Sequence, residues 1–157
     1  MKTFQECCWW LAFIMVSIIA QALAPGLDAL AAGVLLLLQE RDYRTLGWLL
    51  PVFILLQEGM GTRPFGGALL WYLVIIASYK IGRWLFEAGN FVFIFLLSTC
   101  LGGAYFALAW LLAPLQATPA FDMDAMRDIS LLQAVYMPLA WRALASLRPG
   151  EKRVVHE

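Results

Sequence analysis

The sequence predicts an all-α, polytopic membrane protein of about six transmembrane helices, with a short second and third helix. Three observations carry this. Hydrophobic residue types make up 62% of the 157 residues and charged types only 14%, whereas a soluble domain is about a quarter charged. The mean hydropathy is +0.76. The apolar residues also fall into successive runs separated by short polar or Gly/Pro breaks. One soluble core cannot enclose that much apolar surface, so the natural solvent for the excess is lipid. No linker or composition shift divides residues 1–157, which read as a single integral membrane domain. Eleven basic residues balance eleven acidic ones, so the global charge points to no nucleic-acid partner.

The first run, Trp9 to about Leu23, reads as a spanning helix. Ala22-Leu23-Ala24 resembles a signal-peptide cleavage site, but Pro25 directly after it is a poor residue there. Pro25-Gly26 marks a turn, and Asp28 sits near the start of a second helix, Leu27 to about Gln39. Those thirteen residues rise only about 20 Å. A charged loop, Glu40 to Arg44, precedes a third short helix, Thr45 to about Gln57, where Pro51 should free the carbonyl of Gly47 or kink the axis. Together the two short helices form a hairpin that crosses thinly or incompletely. Glu58 to Pro64 is the most polar and glycine-rich break. A fourth helix runs from Pro64 to about Tyr79, followed by an interfacial segment, Lys80 to Gly89. Asn90 to about Leu115 is the longest run, and the stretch from Gln116 to Asp128 is polar. The last helix is Ile129 to about Leu147, with a basic tail after it.

Orientation is set by basic residues in loops. With six spans and both termini cytoplasmic, the inside holds Lys2, Arg41, Arg44, Lys80, Arg83, Arg142, Arg148, Lys152 and Arg153, and the outside only Arg63 and Arg127. The predicted topology is therefore multi-pass, with both ends in the cytoplasm. Trp9, Trp10, Trp48, Trp84 and Trp110 fall near predicted span ends, as indoles do at the interface.

Charged groups at membrane depth are costly and mark function by default. The candidates are Asp28, Glu58 and Arg63. Glu58 directly succeeds Gln57 and opens the Gly-rich break. It either receives a partner's arginine or a small ligand, or acts locally by pairing with Arg63 or capping the helix that Pro64 starts. Asp28 reads as a helix-start acid near the outer surface, favoured there by the macrodipole. Arg63 snorkels or pairs locally. Gln21 and Gln133 lie inside apolar runs, where an amide would bond to another helix. Gly103 with Ala107, and Ala20 with Ala24, offer small-residue faces that could admit a partner helix closely.

Catalytic machinery is not legible. The one histidine, His156, is a residue from the C-terminus. No Ser-His-Asp set, metal-ligand spacing or phosphate loop is present, so no enzyme, metal or cofactor is expected. Cys7, Cys8 and Cys100 form neither a disulfide framework nor a metal site.

The order of segments resembles the MreD family of bacterial rod shape-determining membrane proteins. A first helix ends near Gln21, a Pro25-Gly26-Leu27-Asp28 start comes next, and a Leu-rich short helix leads into a basic loop with Arg41 and Arg44. The most specific piece is an acid, a Gly-rich turn and Pro-x-Gly, here Glu58-Gly59-Met60-Gly61-Thr62-Arg63-Pro64-Phe65-Gly66, where the family usually has Asp in place of Glu58. The final helix opens Leu131-Leu132-Gln133 and carries Pro138. The resemblance implies a non-enzymatic membrane scaffold of the peptidoglycan elongation machinery, with a single-pass, MreC-like partner and neighbouring peptidoglycan-synthesis enzymes. Gln21, Asp28, Gln57, Glu58, Gly61, Arg63, Pro64, Gly66 and Gln133 are the candidate partner-binding or ligand-binding residues. Two other roles fit the same sequence: a substrate-binding subunit of an energy-coupling-factor transporter, or an accessory anchor subunit of another membrane complex.

Overall fold

A computed structural model describes residues 2–60, 66–85, 91–112 and 123–147. Within them the chain forms six helices: α1 (Lys2–Leu23), α2 (Ala31–Glu40), α3 (Tyr43–Gly59), α4 (Gly67–Leu85), α5 (Phe91–Leu112) and α6 (Met123–Leu147). No strand occurs among the described residues. Two helices are long and apolar enough to cross a membrane, Phe4–Leu23 and Val92–Leu112. Only 22% and 39% of those apolar windows are buried inside the bundle. A core helix of a soluble protein would be mostly covered, whereas these two turn most of their apolar surface outward.

The organising element is α2. Its residues Ala31 to Leu38 are all buried, so it has no outward face. A helix that is apolar all round must be surrounded, and α2 packs closely against α3, α4 and α6. At ten residues it rises about 15 Å, half the thickness of a hydrocarbon core. It is therefore even shorter than its sequence suggests. By contrast α3, at seventeen residues, is longer at both ends than expected. Asp42 explains its earlier start by capping it, accepting from Thr45 N at 3.1 Å. Pro51 stays inside the continuous helix on an exposed position. The expected interfacial segment after Tyr79 is helical to Leu85, and the expected polar loop is helical from Met123, where Arg127 lies 3.7 Å from Asp124 and 3.6 Å from Asp128 on the exposed first turns of α6.

Packing between α5 and α6 is the tightest. A Cβ on Gly102 would lie 2.9 Å from both Ala134 Cβ and the Ser130 carbonyl oxygen, so the two backbones touch through small residues. The small-residue face of Gly103 and Ala107 is not part of this contact: both are exposed, and nothing lies within 4 Å of a Cβ on Gly103. The buried stripe of α5 is Ile94, Leu97, Ser98, Leu101, Tyr105 and Leu108.

Helix α1 docks differently. No Cα of α1 lies within 8 Å of a Cα in another described helix. It rests on large side chains: Trp10, Phe13, Ser17 and Gln21 are its buried residues, one stripe at helical spacing. Phe13 reaches over Gly33, where a Cβ would sit 2.6 Å from its ring, and stands 6.2 Å from the Phe53 ring. Trp10, expected at a span end, is 2% exposed in this aromatic cluster. Trp48, Trp84 and Trp110 do stay exposed.

Candidate functional site

The polar residues at the heart of the bundle converge on Asp28. The turn that carries it is held from two sides. Gly26, at φ +95°, lets the chain reverse directly beneath Ile129, where a Cβ would meet the Ile129 side chain at 2.8 Å. Tyr105 Oη donates to the Gly26 carbonyl at 2.8 Å. This wedges the turn between α5 and α6 and drives Asp28 into the interior, where it is 1% exposed. It is the helix-start acid that the sequence predicts, since Oδ1 accepts from Ala31 N at 3.1 Å, and it is buried within the bundle.

Three other helices reach it. From α3, Gln57 Nε2 donates to Asp28 Oδ1 at 2.7 Å. From α4, Tyr72 Oη donates to the same oxygen at 3.4 Å, a long bond. From α6, Gln133 uses both ends of its amide on the Asp28 backbone: Oε1 accepts from Asp28 N at 2.8 Å and Nε2 donates to Asp28 O at 3.1 Å. Gln57 is 2% exposed and Gln133 0%. Polar groups so deeply buried are costly unless bonded, and here they bond to one another. The arrangement is an internal tie across four helices that fixes the start of α2. Bonds to a carboxylate in such a setting are stronger than neutral ones.

Glu58 lies one residue beyond Gln57 but serves a different purpose. Its Oε1 accepts from Gly66 N at 2.8 Å, and the Gly66 carbonyl accepts from Leu70 N at 3.0 Å. Gly66, at φ +81°, is the residue before α4, so Glu58 caps the helix across the turn. A carboxylate at a helix N-terminus is favoured by the aligned peptide dipoles. Of the local roles open to Glu58, capping is observed, and the pairing with Arg63 falls outside the described residues. Gly61, Arg63 and Pro64 lie outside the described residues.

Gln21 is 6% exposed, yet neither its Nε2 nor its Oε1 has a hydrogen-bond partner. The interhelical bond expected of it is absent, because the aromatic spacers hold α1 too far from the bundle. Several contributors carry no signal in the sequence. Tyr72 and Tyr105 are two tyrosines in apolar, aromatic-rich runs. The bond from Trp141 Nε1 to Gln39 Oε1, which joins α6 to the far end of α2, is equally silent. Among the described residues, no group of three or more His, Cys, Asp or Glu is placed to hold a metal ion.

The site therefore consists of one buried acid, two glutamines and a tyrosine contributed by the turn before α2 and by α3, α4 and α6. Comparison with protein-family models, with curated proteins and with solved structures found no match to this chain.

Proposed function

We propose that the chain is a non-enzymatic, multi-pass scaffold of the bacterial inner membrane, with both termini cytoplasmic. It belongs in this reading to the cell-shape and peptidoglycan elongation machinery and binds a single-pass, MreC-like partner, as in the MreD family that its segment order resembles. The observation that carries the scaffold role is the internal use of the central polar groups. Asp28, Gln57, Tyr72 and Gln133 bond to one another, so they shape the bundle rather than present chemistry to a substrate. Meanwhile broad apolar faces look outward, such as Leu11, Met15, Val16 and Ile19 on α1. Outward apolar faces suit lipid and a partner's transmembrane helix, where association rests on close packing. The test is mild solubilisation of native membranes, capture of the tagged chain, and mass spectrometry of the proteins that co-purify with it. A single-pass protein with a large periplasmic part, or peptidoglycan-synthesis enzymes, is the expected result. Capture of the chain alone from every preparation would end the scaffold reading.

A second reading draws on the same polar centre. An acid, two amides and a phenol enclosed by helices are also the groups that a capture subunit of an energy-coupling-factor transporter would offer to a small polar substrate. A vitamin that raises the melting temperature of the wild-type chain and not of Asp28→Asn would favour it, as would recovery of an ATPase pair with a coupling subunit.

A further inference from the structure

Helix α1 meets the bundle in two unlike halves. Its N-terminal half is plugged in by aromatic side chains. A Cβ on Gly33 of α2 would lie 2.6 Å from the Phe13 ring and 3.3 Å from the Trp10 ring. The Phe53 ring of α3 stands 6.2 Å from that of Phe13 and 6.5 Å from that of Trp10. Towards the C-terminal end the inward side of α1 changes character. It carries Ser17, Ala20, Gln21 and Ala24, of which Ser17 and Gln21 are buried and the two alanines half-buried. Small residues at this spacing let another helix approach closely in a membrane. No described helix uses them, since none brings a Cα within 8 Å of one in α1.

Gln21 is the amide of this half, on the same inward stripe as Trp10 and Phe13. It is 6% exposed, and neither end of its amide has a hydrogen-bond partner. The other two buried glutamines, Gln57 and Gln133, both bond to Asp28. A side-chain amide has two N–H donors and an oxygen acceptor, and leaving both kinds unmet away from water is costly. Reaching Gln21 does not require the bundle to open. The last helical bond of α1 runs from Ala24 N to Ala20 O at 3.0 Å. Pro25 has no N–H to continue the ladder, and Tyr105 holds the turn beyond it separately. The helix can therefore tilt about its aromatic plug, with the joint at Pro25 giving way, and the seam widens at the Gln21 end.

We propose that the seam behind the C-terminal half of α1 takes a transmembrane helix carrying a side-chain amide, Asn or Gln, and that Gln21 is the residue that pairs with it. Two facing amides satisfy donor and acceptor on both sides at once, which a lipid ester, an acceptor alone, does not. The small side chains of Ser17, Ala20 and Ala24 let the partner backbone come near enough for the pair to form. Gln21 lies about 12 Å along the axis from Phe13 and close to the end of α1 at Leu23. The partner's amide therefore belongs near the end of its own apolar run, at the same membrane face. This inference rests on the scaffold reading above and deepens it by naming where the partner helix sits.

The experiment places a benzophenone side chain in the full chain at Ile18 or Ala24, half-buried positions one turn either side of Gln21, and at exposed Leu139 of α6 as control. Native membranes are irradiated and the adducts identified by mass spectrometry. Ile18 and Ala24 should both label one transmembrane segment of another protein, with Asn or Gln within a turn of the adduct, and Leu139 should not. Gln21→Leu should lower that yield roughly threefold to tenfold, the loss that corresponds to one interhelical hydrogen bond in a membrane, and Gln21→Asn should lower it less. Purified Gln21→Leu should melt no lower than wild type, since it removes only an unbonded amide; a merely structural glutamine would lose stability and yield together. An unchanged yield in Gln21→Leu would overturn the amide pairing. Labelling of the partner from Leu139 alone would overturn this site and leave the scaffold reading standing. Adducts with lipid alone, or with a second copy of this chain, would give the seam to those occupants instead. No protein adduct from any position, with the chain captured alone, would end the scaffold reading and this inference together.

Discussion

The side-chain amide of Gln133 brackets the backbone of Asp28 across 105 residues of sequence, accepting from its N–H and donating to its carbonyl. Both backbone groups lie in a turn that precedes a helix, ahead of the regular helical ladder. Gln133→Leu keeps the volume and removes both bonds. With two buried groups each losing a hydrogen bond at about 1–3 kcal/mol, the variant should lose about 2–6 kcal/mol in stability. Reversible unfolding in mild detergent by a denaturing surfactant would measure it. A wild-type midpoint would show that the bracket contributes nothing.

The two side chains that reach Asp28 Oδ1 should differ in weight. Gln57 donates at 2.7 Å and Tyr72 at 3.4 Å, and a hydrogen bond at the longer distance is weak. Gln57→Leu should therefore cost about 1–3 kcal/mol and Tyr72→Phe less than about 1 kcal/mol. In an Asp28→Ala background both costs should shrink towards zero, as a double-mutant cycle would record. Equal costs with and without the carboxylate would mean that the donors act through packing.

Gly102 and Gly103 are a matched pair of adjacent sites. Gly102→Ala drives a methyl group against the Ser130 carbonyl and Ala134 Cβ at 2.9 Å, and neither atom can move without its helix. Overpacking of this kind costs about 1–3 kcal/mol. Gly103→Ala meets open space and should gain up to about 1 kcal/mol from helix propensity. Thermal unfolding of the two variants side by side would reveal whether α5 and α6 separate in the first only.

Glu58→Ala removes the acceptor for Gly66 N and should lower stability by about 0.5–2 kcal/mol, the range for a lost helix cap. Glu58→Gln keeps a carbonyl oxygen in reach and should restore most of it. If Glu58 acts as a cap alone, the glutamine variant captures the same partners as wild type. Full stability with lost capture would assign the carboxylate to a partner instead.

The all-helical class is legible from composition and runs of apolar residues, because those quantities count residues without needing to know where they point. The number and order of helices come from the same runs and the Gly/Pro breaks. Facing is the property that stays hidden. Asp28 comes after Pro25-Gly26, which the sequence rightly marks as a turn, yet whether that turn lies at a surface or inside depends on Tyr105 and Ile129, roughly 80 to 100 residues away. Gln133 and Gln57 stand out as amides in apolar runs, while Tyr72 is one tyrosine among several. Gln21 has the same signature as Gln133 and no bond; the difference lies in the separation set by Trp10 and Phe13, which no local pattern encodes. Gly102 and Gly103 are indistinguishable in sequence, and only the register of α5 against α6 separates them.

The wholly enclosed α2 has a consequence for how the chain comes to exist. A segment without an outward face cannot reach its final setting until the helices around it have been made, and the last group to reach the α2 start lies 105 residues downstream. At about 5–20 residues per second, a ribosome needs roughly 5–20 s to produce that stretch. Throughout this interval the residues from Ala31 to Leu38, all destined for burial, lack the helices that will enclose them. A chaperone thus has a defined window in which to shelter them, and a protein truncated before α6 should be cleared by quality-control proteolysis.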